Sequence, residues 1–280
     1  FCAGCVSVAA QSQPAPFDIA RLEAATPLHP YLSALHDPAQ QLTLEDVTAP
    51  EWADDFLPVG DAEPNFGVNA GAAWSRFTLT NASAQTQTAV LRLDVPSAGY
   101  VDLYTPAANG AVQTLRAGAR VPYANRPLPD RLIAFPLELA PGATQTYYLR
   151  VATDFALRLP LTLWPTAVYL TTSAEEAFAW ALVVGLVLLL SLYNLLVFFV
   201  VRELDHLFLA LAGSVSIVTT YLANGFAAPW LGDQTVYYPQ LVVAMSSLAA
   251  IFYIGLVVSF LNLRRRVRWA FYLLAGIAVM

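Results

Sequence analysis

The chain has 280 residues, 57% of them hydrophobic and only 12% charged, with a formal net charge of −6 and a pI near 5.0. A soluble domain carries roughly 25% charged residues, so this composition argues against a purely soluble protein. All fourteen basic residues are Arg and they are scattered until Arg264. An acidic chain without a basic stripe disfavours nucleic-acid binding.

The charges also divide the chain. Up to and including Glu176 there are 17 acidic residues against 9 Arg, and beyond it 3 against 5. Two physically different halves follow, an acidic one and a slightly basic, strongly apolar one.

Taken in order, residues 1–10 form an apolar opening that runs into Gln11-Ser-Gln-Pro14, with Ser7 and Ala9 at the −3 and −1 positions of a cleavage site. This reads as the remnant of a secretory signal peptide. Cys2 and Cys5 are the only cysteines. A lipoprotein reading lacks a branched apolar residue three before Cys5, and a redox or zinc pair lacks a second CxxC and a nearby His. Residues 11–41 contain several prolines and a weak helical pattern near Phe17 to Ala25, and are expected to be a lead-in segment. The folded domain is placed at 42–165.

Within it the pattern has period two. Phe77 and Leu79, then Ala89, Leu91, Leu93 and Val95, then Val101 and Leu103 alternate with polar residues, and so do Ile133 to Leu139, Tyr147 to Val151 and Leu157 to Leu163. Alternation of this kind marks half-buried strands. Turn chemistry separates them at Asn81-Ala-Ser, Pro106 to Gly110, Pro141-Gly142 and Asp154. The expected fold is an all-β sandwich, jelly-roll-like.

Catalytic and metal chemistry have little to stand on. His29 and His36 lack a surrounding zinc spacing, and Asp54, Asp55, Asp61 and Glu63 lack the alternation of a calcium loop and read as solvated charge. No GxSxG, P-loop or GxGxxG occurs. The expectation is therefore no catalytic residue, no metal and no cofactor in these residues. A binding face is the better candidate. Tyr100 and Tyr104, with Asp102 between them, fall on one side of a predicted strand, and Tyr123 follows in a loop with Asn125 and Arg126. Aromatic faces beside hydrogen-bonding groups can stack a sugar ring or another flat ligand; the plainer alternative is a Tyr-rich, half-buried sheet face.

Residues 166–176 form a short connector, and 177–280 a transmembrane domain. Ala177 to Val201 holds 25 residues without Asp, Glu, Lys or Arg, more than the ~20 that span a bilayer. Further spans are predicted at about 207–223 and 239–263, and an incomplete one at 269–280, so the protein is expected to continue past Met280. Arg202 and the Arg264 to Arg268 cluster lie in alternate links, while the link with Asp233 has no basic residue. The positive-inside rule puts the Arg-bearing links in the cytoplasm and the acidic half outside. Ionisable residues are absent from the apolar runs, which disfavours ion-coupled transport. Ser191, Tyr193 and Asn194, Ser214, Ser216, Thr219 and Thr220, Ser246 and Ser247, and the small residues Ala177, Ala181 and Gly185 are expected to serve interhelical hydrogen bonding and close packing.

Several segments together resemble a known arrangement. Asn65-Phe66-Gly67, Trp74-Ser-Arg76-Phe77-Thr-Leu79-Thr-Asn81, Val101-Asp-Leu-Tyr104, Pro141-Gly142 and Tyr148-Leu-Arg150-Val151 are similar to the type-2 extracellular domain of the bacterial seven-transmembrane receptors with diverse intracellular signalling modules (7TMR-DISM). Tyr193-Asn194-Leu195, the Arg202-Glu203-Leu-Asp205 link and Asn224-Gly225 resemble that family's membrane domain. The resemblance implies a periplasmic sensor similar to carbohydrate-binding modules, joined to seven spans in the inner membrane and to a cytoplasmic diguanylate cyclase or histidine kinase. Trp74, Arg76 and Asn81 then mark the fold rather than ligand contacts. The partners expected are the lipid bilayer, from the apolar spans, an unidentified small-molecule or carbohydrate ligand, and a second copy in a homodimer. A membrane-anchored binding or assembly module without signalling output is the alternative, and an enzyme or carrier with its chemistry beyond Met280 is a third.

Overall fold

The computed structural model describes residues 13–68, 71–106, 111–231 and 238–261. The signal-peptide remnant, the Arg264 to Arg268 cluster and the fourth span lie outside the described residues. The chain divides into two compact units, 1–169 and 170–280.

The first unit is built of strands. They are β1 (Phe17–Asp18), β2 (Thr26–Pro27), β3 (Leu32–Asp37), β4 (Leu57–Pro58), β5 (Asn65–Val68), β6 (Ala72–Thr80), β7 (Gln87–Leu93), β8 (Tyr100–Pro106), β9 (Val112–Ala117), β10 (Ile133–Leu139), β11 (Thr144–Ala152), β12 (Ala156–Arg158) and β13 (Leu161–Pro165). A large sheet runs β4-β3-β6-β11-β8-β9, with β1 parallel to the end of β6. A second runs β10-β7-β13-β2, and β5 pairs separately with β12.

The period-two pattern explains how the two larger sheets meet. Phe77, Leu79, Val101, Leu103, Tyr147 and Leu149 from one sheet and Leu91, Leu93, Ile133, Phe135, Leu161 and Leu163 from the other are buried in one apolar cluster. Each such side chain removed from water contributes about 1.5–3 kcal/mol. Phe77 stacks on Tyr147 across the β6–β11 pair with centroids 5.4 Å apart. Pro136, without an N–H, is tolerated because β10 is the edge of its sheet.

Three boundaries differ from expectation. The segment 11–41 is no lead-in: β3 pairs with β6 over six residues inside the large sheet, and β1 and β2 pair with β6 and β13. Phe17 to Ala25 is a two-residue strand and a 3-10 turn instead of a helix, because Asp18 caps that turn by accepting from Ala20 N. Leu157 to Leu163 forms two strands, since Pro160 cannot continue a ladder and the chain moves from β5 to β7 there. Strand β9, rich in exposed residues, carries too little alternation to be seen in the sequence.

A short helix α1 (Leu44–Thr48) packs on the outside of the large sheet. Thr43 and Asp46 form a reciprocal capping box that starts it. Val47, Phe56, Leu35 and Trp74 make a second buried cluster, with Trp52, Tyr104 and Tyr148 against it.

The second unit is helical. The expected connector does not exist as a separate segment, because α2 (Thr166–Val201) begins on the residue after β13. Its 36 residues reach about 54 Å, against a hydrocarbon core of ~30 Å, so about a dozen residues, Glu175 and Glu176 among them, extend beyond the apolar run. After the two-residue link Arg202-Glu203 come α3 (Leu204–Ala223), α4 (Ala228–Leu231) and α5 (Tyr238–Phe260). Arg202 ends α2 in the left-handed region, φ 63°, donating its N–H to Phe198 O. Helices α2, α3 and α5 are each long and apolar enough to cross a membrane.

Packing in this unit corrects one expectation about its polar residues. Ser214, Thr219, Ser246 and Ser247 donate to the carbonyl four residues back on their own helix, as hydroxyls do when lipid offers no partner. Ser216 to Tyr253 (3.2 Å) and Asn194 to His206 (3.2 Å) are the hydrogen bonds that cross between helices among these positions. Close approach depends on Gly213 against Ser191 and Gly255 against Phe208, whereas Gly185 has open space where a Cβ would stand and Ala177 and Ala181 are exposed.

Candidate functional site

Strand β8 places Tyr100, Asp102 and Tyr104 on the same parity, facing away from the sandwich core. The register sets Asp102 between Arg150 on β11 and Arg116 on β9. Asp102 is only 2% exposed, and such a carboxylate requires compensation. Arg116 provides it with two bonds, Nε to Oδ1 at 2.6 Å and Nη2 to Oδ2 at 3.1 Å. The pairing in turn pushes the Arg116 guanidinium further toward the charged form. Burial and the nearby Asp102 charge raise the Tyr104 hydroxyl above its ordinary value.

The tyrosine rings here have ring and guanidinium neighbours, and Tyr100 stays 37% exposed. Tyr104 stacks on Trp74 at 5.5 Å, and the guanidiniums of Arg116 and Arg120 lie over Tyr100 at 5.9 and 5.8 Å. Tyr123 belongs to another neighbourhood: its hydroxyl donates to Pro129 O, and Arg126 lies over its ring. The structure therefore brings three of the four predicted residues onto one strand, and places the fourth in the loop after β9.

The residues singled out by resemblance are structural. Trp74 is fully buried, and Arg76 sits 4.6 Å over the Phe56 ring. Asn81 donates to the carbonyls of Gln85, Leu139 and Ala140 and accepts from Ser83. It thereby fastens the β6–β7 turn to the β10–β11 turn.

A second location was not singled out from the sequence. At the β3–β4 edge of the large sheet lies an open cleft of about 560 Å³, walled by Leu35, His36, Trp52, Asp55, Pro64 and Phe66. His36 and Phe66 stack at 5.0 Å and an interplanar angle of 25°. Glu63 and Asn65 also face the cleft; Glu63 pairs with Arg158 at 3.1 Å, and Asn65 Oδ1 accepts from Gly67 N. Gly67 is at φ 90°, a conformation that favours glycine. The acidic stretch and Asn65-Phe66-Gly67 were visible in the sequence, but nothing local tells that β3 supplies the opposite wall. No group of three or more metal-ligating side chains converges among the described residues.

At the end of this unit, β13 meets α2. Trp164 and Tyr169 pack with Val90 and Ala134, Arg92 lies 4.4 Å over Trp164, and Tyr169 donates to Asp130 Oδ2 at 2.8 Å. Thr166 bonds Thr88 across the same junction.

An outer β-sandwich followed by apolar helices of spanning length defines a membrane protein with an extracytoplasmic domain. Residues 29–165 match the family 7TMR-DISM extracellular 2, and residues 176–280 match 7TM diverse intracellular signalling. The chain belongs to the 7TMR-DISM receptors, with its amino-terminal domain outside; these domains are sensory rather than catalytic. No curated protein matches it. Among solved structures, it is similar at 13% identity and a TM-score of 0.32 to a protein assigned as a beta-galactosidase from Bacteroides fragilis, over 50% of this chain and 22% of that one. It is also similar, at 8% identity and a TM-score of 0.23, to TmCBM61 in complex with beta-1,4-galactotriose, over 53% of this chain and 90% of that one. Likenesses this low carry no argument about the ligand.

Proposed function

We propose that the chain is the input half of a receptor in the bacterial inner membrane: a ligand bound outside changes the sandwich, and α2 carries the change to a cytoplasmic output module such as a diguanylate cyclase or histidine kinase. The observation that supports it is the joint between β13 and α2, where strand passes into spanning helix with no intervening residue. A flexible linker would let the sandwich move without moving the helix. Trp164, Tyr169, Asp130 and the Thr88–Thr166 pair hold the first helical turn against β7 and β10 instead. Such a device signals only if the ligand binds its two states with different affinity.

The test is an insertion of a flexible Gly/Ser segment after Thr172 in the full-length protein. Loss of ligand-dependent output, with ligand binding retained, is the expected result. Unchanged signalling would remove the mechanical reading, and a chain without any output would be an anchored binding or assembly module.

A further inference from the structure

We infer that the free edge of strand β9 is an interaction surface that takes the β9 edge of a second copy of this chain, antiparallel and two-fold, so that the large sheets of two outer units run on into one another.

A sheet edge presents unpaired N–H and C=O groups, and proteins blunt such edges with short strands, proline, charge or bulges. Among the described residues the other edges here carry these devices. β4 and β2 end the two sheets as two-residue strands closing in Pro58 and Pro27. β10 carries Pro136 and the exposed Glu138, and the short β5–β12 pair shifts register between Leu157 and Arg158. β9 has none of them. Val112-Gln-Thr-Leu-Arg-Ala117 contains no Pro, Gly or Lys, pairs with β8 in unbroken register over its whole length, and has no strand on its other side among the described residues. Its one charge, Arg116, already lies on Asp102. Val112, Gln113 and Thr114 are exposed, Val112 at 54%.

The pattern of the strand selects a second copy as the occupant. Leu115 and Ala117 pack toward the sandwich core, which leaves Val112, Thr114 and Arg116 on the outer surface. A slip by one residue would turn core-facing side chains outward, so an even-numbered position must meet an even-numbered one. Pairing centred on Thr114 meets that condition with the exposed part of the strand. It sets Thr114 beside the partner's Thr114, a favourable cross-strand pair, and Val112 beside the partner's Arg116. The two Arg116 side chains then stand about 14 Å apart along the strands, so no like charges oppose one another. Every copy offers the same unprotected edge, and one isologous contact satisfies both.

The experiment is thiol cross-linking of the full chain in native membranes, in a background with Cys2 and Cys5 replaced by Ser, using a reagent that reaches no further than a neighbouring strand. Thr114→Cys should give a product of twice the chain's mass, and Val112→Cys, about 14 Å from its own copy, should not. The sign of a charge supplies the second arm. Val112→Lys sets like charge opposite the partner's Arg116 and should lower the Thr114→Cys product about fivefold, whereas Val112→Glu should keep or raise it. Val112 is exposed, and damage to the fold would lower both alike. No dimer from Thr114→Cys, equal yields from Thr114→Cys and Val112→Cys, or a yield that ignores the sign of the charge at position 112 overturns the inference. A Thr114→Cys product with a different protein also overturns it, giving the edge another occupant. None of these outcomes bears on the receptor reading, whose own failure shows itself as signalling that survives the Gly/Ser insertion.

Discussion

Asn81 illustrates how much one side chain can hold. Its amide donates to three carbonyls, two of them nearly sixty residues away, and its carbonyl accepts from Ser83. Removing it leaves buried acceptors unpaired, at about 1–3 kcal/mol each. Asn81→Ala should therefore destabilise the outer unit by about 3 kcal/mol or more, read as a lowered midpoint in a thermal melt of the full chain followed by tryptophan fluorescence. Tyr147 gives a pH dependence. Burial pushes its hydroxyl well above the ordinary 10.0, so the folded state favours the neutral form. Its contribution is fully present below pH 10 and is lost as pH rises from there toward the folded value. The melting temperature should fall on alkalinisation above pH 10, and Tyr147→Phe should lessen that fall; an equal fall in the variant would remove Tyr147 as the cause.

At the scale of elements, the strand-to-helix joint and the helix contacts set the behaviour. A Cβ on Gly255 would stand 2.6 Å from the Phe208 ring, closer than atoms pack, so Gly255→Val should push α3 and α5 apart. A drop in thermostability in detergent of several degrees is expected, with Ala177→Val, exposed on α2, as the neutral control. The sequence showed these helices as uncharged runs, because hydropathy is local. It did not show which glycines lie at contacts: Gly185 belonged to a regular small-residue stripe, and yet Gly213 and Gly255 make the close approaches. Likewise β3 carried a clear apolar pattern only once β6 was beside it, since Leu32 and Leu35 face opposite clusters.

For the whole molecule, the decisive property is sidedness. In a background with Cys2 and Cys5 replaced by Ser, a membrane-impermeant maleimide should label Glu138→Cys in the outer unit and spare Glu203→Cys in the link between α2 and α3 until the membrane is opened. Labelling of both in intact spheroplasts would reverse the topology drawn from Arg202. The same packing logic applies to Trp180, Phe226 and Tyr221, whose rings meet where α2 begins its apolar run and α3 ends, an arrangement suited to an interface between hydrocarbon and water.

The sequence by itself determined the division into an acidic β unit and an apolar helical one, and the family, because charge, hydropathy and period are properties of consecutive residues. Tertiary structure alone decided that residues 17–37 join the sandwich, that Tyr104 stacks on the buried Trp74, and that Trp52, Asp55 and Phe66 meet across a cleft. Each of those depends on pairing between distant strands, where register, and not composition, selects which side chains face one another. The continuous passage from β13 into α2 belongs to the same class, since Val90, Ala134, Asp130 and Thr88, all distant in sequence, hold the first turn of that helix in place.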